Sequence, residues 1–289
     1  AGLWWVAQRG LAMGGLEQGR GLIALLGTLL VGWLLWRIVA LAVLQFFADE
    51  VVEAVEAIPA ITLAAVRGHC IGGGVLPKVP GSSGVRFLAL PVLQYQYKDV
   101  AYVSGLKAGA WGFVSADESL RIGLYAEPRF GYTASDSTKT AGMANRDFAF
   151  EAGPSLRWQT EAGVLNVDYG FDISGKSKGQ VAQVQFIRPL VKEMALRLNG
   201  IVSATWQDSK MNDYYFGVRS NEVATGRPAY AAGSGTAFSI GLSGLFAFNR
   251  TGAVFFGATV NRLSSTQSNS PIVERDYTPV AYIGYGWRM

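Results

Sequence analysis

The sequence has one cysteine, Cys70, and one histidine, His69, among its 289 residues. A single cysteine cannot form an intrachain disulfide, and the two side chains together are too few ligands for a zinc site. One histidine also leaves little basis for a Ser-His-acid hydrolase, unless His69 lay against a distant serine. We therefore predict no catalytic residues, no metal site and no cofactor, and we expect His69 and Cys70 to be chemically silent.

Charge is scarce as well. Charged residues make up 16% of the chain, and the formal net charge is only +4. No long block of Lys or Arg is present, so nothing indicates binding to nucleic acid. Hydrophobic residues reach 50% but are spread along the whole chain, and glycine (36 residues) and aromatic residues (12%) are frequent. This composition is typical of packed strands with aromatic rings at a membrane interface rather than of a helical core.

An apolar run at residues 21–48 is interrupted by a single charge, Arg37. At about 1.5 Å per residue, a helix of this length could cross a hydrocarbon core of about 30 Å. Three interpretations remain open: a retained signal-anchor, an extended product containing a true signal peptide, or a helix that packs on or near the rest of the protein. In the second, residues 38–48 form the apolar region and 55–57 the cleavage pattern. We favour the second, because a long apolar helix normally halts export at the inner membrane.

The composition changes after this segment. Residues 72–85 are rich in Gly, Pro and Ser, which is typical of a linker or a short first strand. We therefore divide the chain into a hydrophobic N-terminal segment (1–71), this linker or first strand (72–85) and a third region (86–289).

In the third region the hydrophobic pattern has a period of two. Apolar residues alternate with polar or small ones from Leu120 to Gly131, and the same holds for 147–158 and 163–173. Because successive side chains of a strand point to opposite faces, each stretch has one apolar and one polar face, and each is long enough to cross a membrane as a tilted strand. A soluble sandwich would alternate in the same way. Long strands, a terminal strand at 278–289 and aromatic residues at the ends of the outward rows favour a transmembrane barrel; these are Tyr132, Trp158 and Trp206.

We predict an all-β fold, a transmembrane antiparallel up-and-down β-barrel of about ten strands. An even number is expected for such barrels, and extra strands within 66–80 and 207–235 would give twelve. The ten strands are 86–97, 102–114, 119–131, 147–158, 163–173, 180–190, 194–206, 236–248, 253–263 and 278–289. Short connections are expected on the periplasmic side, at 115–119, 160–163, 191–193 and 249–252. Longer loops are expected on the outer side, at 132–146, 174–179, 207–235 and 264–277.

The connecting residues carry a resemblance to a known family. The segments are LPVLQYQYKD (90–99), DST followed by GMANRDF (136–148), DISGKSKGQ (172–180), DYYFGV (213–218) and NSPIV (269–273). In this order and spacing, over about 75–289, they resemble the MipA/OmpV family of outer-membrane proteins. Residues 1 to about 70 do not match the family pattern, which has a cleaved signal peptide there.

The resemblance implies a non-enzymatic barrel in the lipid of the outer membrane. The family's namesake resembles a scaffold that brings a murein-cleaving lytic transglycosylase together with a bifunctional murein synthase, a penicillin-binding protein. Other members are described as antigens or adhesins. A small channel or uptake barrel is the alternative. A scaffold would contact its partners through residues 49–85 or through turn residues, such as Glu161, Lys192, Glu193 and Arg250.

Two sets of residues are candidates for function. The loop set could bind a partner or a small ligand, or could simply close the barrel mouth; it comprises Asp136, Ser137, Arg146, Asp147, Tyr214, Tyr215, Ser270 and Pro271. The lumen set could form a selective pore, but we favour a filled lumen in which opposite charges pair. This set comprises Arg121, Glu127, Arg129, Glu151, Arg157, Asp168, Asp172 and Arg197.

Overall fold

The computed structural model of the chain describes residues 69–90, 94–97, 100–193, 195–249 and 252–287. The helix expected at 21–48, and with it the choice among its three interpretations, lies outside these residues. In the described ranges, no helix has the length and apolar character needed to span a bilayer.

The described chain folds into one antiparallel sheet of thirteen strands. Across the sheet the order begins β2-β1-β13-β12 and continues through the remaining strands in descending number to β3. Each strand from β3 to β12 therefore pairs with the next one along the chain, and β13 pairs with β1. The strands are β1 His69–Pro77, β2 Val85–Leu90, β3 Gln94–Tyr97, β4 Ala101–Ser104, β5 Lys107–Val114, β6 Leu120–Arg129, β7 Ala149–Thr160, β8 Gly163–Asp172, β9 Gln180–Lys192, β10 Leu196–Gln207, β11 Gly235–Ala247, β12 Gly252–Arg262 and β13 Tyr277–Trp287.

The sheet closes into a barrel. Its two edge strands, β2 and β3, run in the same direction and are separated in the chain only by residues 91–93. Four residue steps span at most roughly 14 Å, whereas the edges of an open sheet with twelve strand spacings would lie roughly 58 Å apart. The two edges must therefore meet, and β2 and β3 occupy one position in the wall. The thirteen segments count as twelve strands, an even number as expected.

Twelve is the alternative count from the sequence and not the preferred ten. One additional strand is β1, within the segment 66–80, where it pairs with β13. The other is not in 207–235. It arises because the single strand expected at 102–114 is two, β4 and β5, joined by a tight turn in which Gly105 has a φ of +63°. Glycine adopts this left-handed conformation without steric penalty.

The alternation read from the sequence is confirmed by the exposure of the side chains. Leu124, Ile240 and Ile283 are 64%, 67% and 63% exposed on the outer surface. Ser155 and Asp168, on the opposite face, are 5% and 4% exposed and line the lumen. The barrel thus presents an apolar surface to its surroundings and a polar interior, the arrangement of a barrel in a bilayer.

The two ends of the barrel differ. At one end the connections between the described strands are short, including those after β5, β7, β9 and β11. The other carries the long connections and the only two α-helices of the described residues, α1 (Ser209–Phe216) and α2 (Ser265–Ser268). Short 3-10 turns also lie there, at Ala134–Asp136, Thr138–Thr140 and Ser220–Glu222. We call these the short-turn end and the long-loop end.

Candidate functional site

Four connections at the long-loop end pack together into a layer that we call the cap. It comprises residues 78–84, 130–148, 208–234 and 263–276. Loops that merely cover a surface have no core of their own, but the cap has one, and every one of its four segments contributes to it. Its buried apolar residues are Val79, Tyr132, Met143, Met211, Tyr215, Phe216, Val218, Ala232, Leu263 and Ile272.

Arg146 lies at the centre of the cap with its side chain fully buried. Its Nη1 donates to Glu222 Oε1 at 3.0 Å and its Nη2 to Glu222 Oε2 at 2.8 Å, so the pair is bidentate. The remaining donors reach main-chain oxygens: Nε donates to Tyr214 at 2.6 Å, and Nη2 also to Gly217 at 3.2 Å. A buried charge needs this degree of pairing, because an unpaired one carries a large desolvation penalty.

Glu222 remains ionised in this setting. Burial opposes its charge, but the hydrogen bonds from Arg146 and from the main-chain N–H groups of Arg219 and Ala144 outweigh that effect and hold its pKa at about 2. Two connections thus meet at one carboxylate: the β6–β7 loop donates through Arg146 and Ala144, and the 208–234 connection donates through the Arg219 N–H.

Two further contacts fasten the cap. Arg227 donates to main-chain oxygens of Lys139 and Ala141, 2.7 and 2.9 Å away, and also to the carbonyl of Glu222. Gln267 of α2 donates to Asn212 Oδ1 of α1 at 2.9 Å, so a side-chain amide pair joins the two helices.

The loop candidates divide between the cap interior and its surface. Arg146, Tyr215 and Ser270 are buried, and Ser270 Oγ donates to the Phe216 carbonyl at 2.5 Å. Their polar atoms therefore face the protein and not the solvent. Tyr214 is partly buried, and its hydroxyl accepts a hydrogen bond from the Asp147 N–H at 2.9 Å.

The other loop candidates lie near the surface. Asp136 accepts from the Thr133 N–H at 2.7 Å, a bond that lowers its pKa. Ser137 donates to Glu274 at 3.1 Å, and Asp147 pairs with Lys176 at 2.8 Å. Pro271 is partly buried. These residues stabilise turns and link neighbouring loops.

One aromatic residue is placed differently from the expectation. Tyr132 does not end an outward row at the membrane surface, because it is only 3% exposed and lies in the cap. Its hydroxyl donates to the Tyr215 carbonyl at 2.7 Å. The outward alternation stops at Phe130, where the chain leaves β6 and enters the cap.

Beneath the cap, charges on the lumen face of β5 to β8 pair with one another. Arg129 forms an ion pair with Glu151. The Arg129 guanidinium also lies 5.6 Å from the ring centre of Tyr215, which is a residue of α1. Lys107 pairs with Asp168, whose other oxygen accepts from Ser155 Oγ at 2.6 Å. The cap is therefore in contact with the lumen charges at the barrel mouth.

The other lumen candidates have different surroundings. The Asp172 carboxylate accepts main-chain hydrogen bonds from Ser174 at 2.9 Å and from Lys178 at 2.9 Å, so it organises the β8–β9 turn. Glu127 is partly buried beside the Arg129 pair, and Arg197 is exposed near the short-turn end. Arg121 and Arg157 lie opposite each other on β6 and β7, also close to the short-turn end.

Several central residues were not identified from the sequence. Lys107 could have been identified, since it is the first residue of an alternating strand and lies on the same face as Gly109, which is the lumen face. Glu222 and Arg227 could not, because they lie in an irregular loop where no period indicates which side chains are buried.

The described residues contain no group of three or more His, Cys, Asp or Glu side chains that could hold a metal ion. The arrangement does two things: it fastens a folded cap over one end of the barrel, and it places paired charges along the lumen wall.

A known family and several known proteins resemble this chain. The family model described as MltA-interacting protein MipA matches residues 70–289. The MltA-interacting protein of Escherichia coli K12 is 25% identical over 202 residues, which are 69% of this chain and 80% of that protein. Outer membrane protein OmpV of Vibrio cholerae is 25% identical over 175 residues, 60% of this chain and 67% of that protein. Outer membrane protein Omp26La of Vibrio anguillarum is 27% identical over 143 residues, and the match spans 50% of this chain and about half (55%) of that protein.

Proposed function

The chain belongs to the MltA-interacting protein family, and from that premise we propose that it is a capped, non-conducting barrel that holds cell-wall enzymes at the outer membrane. Its relatives are named as outer-membrane proteins, and its own barrel has the apolar outer surface that this location requires. The partners would be a lytic transglycosylase, as the name of the Escherichia coli relative suggests, and a bifunctional penicillin-binding protein.

The observation that carries this proposal is the cap. An open channel needs a clear mouth, whereas here four connections pack into a layer with its own buried core across the long-loop end. The bidentate pair of Arg146 and Glu222 holds that layer together. A folded layer of this kind supports a structural role for the barrel over a wide pore.

The proposed docking surface is the short-turn end, which would face the periplasm, where murein enzymes act. Two neighbouring turns there carry acidic side chains: Asp117 and Glu118 follow β5, and Glu161 follows β7. Hydrogen bonds from Ser115 and Ser119 lower the pKa of Asp117, so it carries its charge throughout the physiological range. Exposed charges of this sort affect the rate and specificity of docking more than its affinity.

The experiment is capture of a purified lytic transglycosylase by the full-length protein in detergent. We expect retention by the unaltered barrel, and an association rate lower by about tenfold or more for the charge-reversed turn variant D117K/E118K/E161K. The matched control is K139E/K176E on the long-loop end, which should bind as well as the unaltered protein. Failure of the unaltered barrel to retain the enzyme at low salt would overturn the proposal.

A further inference from the structure

One arginine lies on the outward face of the barrel wall. Arg188 of β9 is exposed and is directly opposite Gly200 of β10. The next pair on the same face is Phe186 and Val202, and Val202 is 50% exposed on the outer surface. Arg188 therefore points away from the lumen, on a surface that is apolar in a membrane barrel.

The rest of this surface is almost free of charge. In the described strands, the only other acidic or basic side chain on the outward face is Arg262, which is opposite the outward Phe238. Arg262 is the last residue of β12, at the long-loop edge of the wall, and lies 3.9 Å from the carboxylate of Asp276. Arg188 is thus the one charge within the outward wall itself.

Arg188 has no partner in the part of the chain that the structure describes. Its side chain makes no hydrogen bond there, and no carboxylate oxygen lies within 4.0 Å of its nitrogens. The turns after β7 and β9 carry exposed acidic residues, Glu161 and Glu193, but neither pairs with it. An ionised group facing hydrocarbon without a counter-charge carries a large penalty. The guanidinium therefore needs a partner from outside the chain.

The height of Arg188 in the wall indicates which partner is available. It is four residues before Lys192, where β9 ends at the short-turn end. At about 3.3 Å per residue and a strand tilt of about 40°, its Cα lies about 10 Å from that edge. An arginine at this depth extends its stem through the apolar layer and places its guanidinium among the lipid headgroups.

Aromatic side chains mark the same boundary. Trp158 is 48% exposed on the outward face of β7, two residues before the strand ends. Phe248 and Tyr285, also at the short-turn end, are stacked with ring centres 5.8 Å apart and are 48% and 39% exposed. Outward aromatic rings form a girdle at the level of the membrane interface, so this part of the wall borders the headgroups.

Both strands next to Arg188 leave it uncovered. Gly200 is its register partner on β10, and a Cβ on Gly163 of β8 would lie 3.2 Å from the Arg188 Cα. Neither glycine has a side chain that could lie across the guanidinium. A phosphate group can therefore approach the arginine along the wall.

We propose that Arg188 binds the phosphate of an anionic phospholipid in the leaflet at the short-turn end. A guanidinium donates paired, charge-assisted hydrogen bonds to two oxygens of a phosphate. The acyl chains of the same lipid pack on the apolar wall beside it, at Phe186 and Val202. A free phosphate ion has no such chains and gains nothing from this wall. The lipid site is separate from the proposed scaffold role, which uses the charges of the turns.

The test is native mass spectrometry of the full-length protein in detergent, with phosphatidylglycerol and phosphatidylcholine of identical acyl chains as probes. We expect phosphatidylglycerol to bind about fivefold or more tightly, the preference that one basic residue gives for an anionic lipid. An excess of inorganic phosphate should not displace it. Equal binding of the two lipids, or displacement by inorganic phosphate, would overturn the proposal.

Two arginine variants locate the site. R188Q should lose the preference for phosphatidylglycerol, whereas R262Q, which removes the outward arginine at the opposite edge, should keep it. R188Q should also unfold in urea no more readily than the unaltered protein, because Arg188 has no contact within the described chain to lose. An undiminished preference in R188Q would contradict the assignment. Capture of the transglycosylase by R188Q should be unchanged, so the scaffold role is tested independently.

Discussion

Arg146 and Glu222 face each other across the interior of the cap, joined by two hydrogen bonds of 3.0 and 2.8 Å, with neither side chain more than 2% exposed. They are 76 residues apart in the sequence, in two different loops. Their pairing joins separate connections into one layer, and the closed state that we propose for the barrel depends on this contact.

Removing one partner of this pair should destabilise the cap strongly. R146A leaves the Glu222 carboxylate buried without its counter-charge, which typically costs about 3–5 kcal/mol. We expect faster proteolysis within residues 208–234, while the barrel unfolds at the same SDS concentration as in the unaltered protein. Digestion followed by mass spectrometry measures this. K176A breaks the exposed pair with Asp147 and should change stability by no more than about 1 kcal/mol. Equal protection of the loops in R146A and the unaltered protein would show that the pair does not hold the cap.

The cap should loosen in acid. The pKa of Glu222 is about 2 in the folded protein against an ordinary value of 4.5, so its ionised form is stabilised by folding. That stabilisation is fully present above pH 4.5 and is lost as the pH falls from 4.5 towards 2. Loop proteolysis with an acid-tolerant protease, measured across this window, should therefore rise as the pH falls.

Asp136 and Glu274 also have lowered pKa values and titrate in the same direction, so a control is needed. E222Q should make the loops accessible at pH 6 and remove most of the further change in acid. An acid transition of undiminished size in E222Q would assign the effect to the surface carboxylates instead.

The lumen pair of Lys107 and Asp168 should be energetically coupled. D168N removes the charge that faces Lys107 and weakens the bond from Ser155, so we expect a loss of about 1–3 kcal/mol in unfolding free energy. K107M should have a smaller effect in the D168N background, giving a coupling energy of about 0.5–3 kcal/mol in a double-mutant cycle. Urea unfolding in lipid vesicles measures all four proteins, and strict additivity would mean that the ion pair contributes no net stability.

Two glycines on neighbouring strands should respond differently to alanine. A Cβ at Gly123 would lie 1.9 Å from the Ala110 carbonyl oxygen, a backbone atom that cannot move aside without disturbing the β5–β6 pairing. At Gly112, on the strand opposite, the nearest atom would be 4.0 Å away. We expect G123A to slow or prevent assembly into the heat-resistant folded form on gels, and G112A to assemble normally. The same yield for both would mean that the strands separate easily at this point.

The barrel could be predicted from the sequence because its signal is local. An alternating pattern such as that of Leu120 to Gly131 indicates directly which side chains face lipid. The structure confirms this prediction, because Leu124 is exposed on the outer surface and Tyr125 is buried in the lumen. The preferred count of ten strands was wrong in part because one glycine turn at Gly105 divides a continuous apolar pattern without changing its period.

The cap could not be predicted in this way. Its central contact joins residues 76 positions apart, and neither Arg146 nor Glu222 belongs to a periodic segment. Tyr132 illustrates the difficulty, since an aromatic residue at a strand end is equally compatible with a membrane interface and with a buried loop core. Only the three-dimensional packing of four loops distinguishes the two.

Planar-bilayer recording of the full-length protein and of R146A/E222A tests the closed barrel most directly. We predict no conductance steps from the unaltered protein, and intermittent or steady steps from the variant once its cap is unfastened. Steady conductance from the unaltered protein would contradict a barrel that is closed by its own loops.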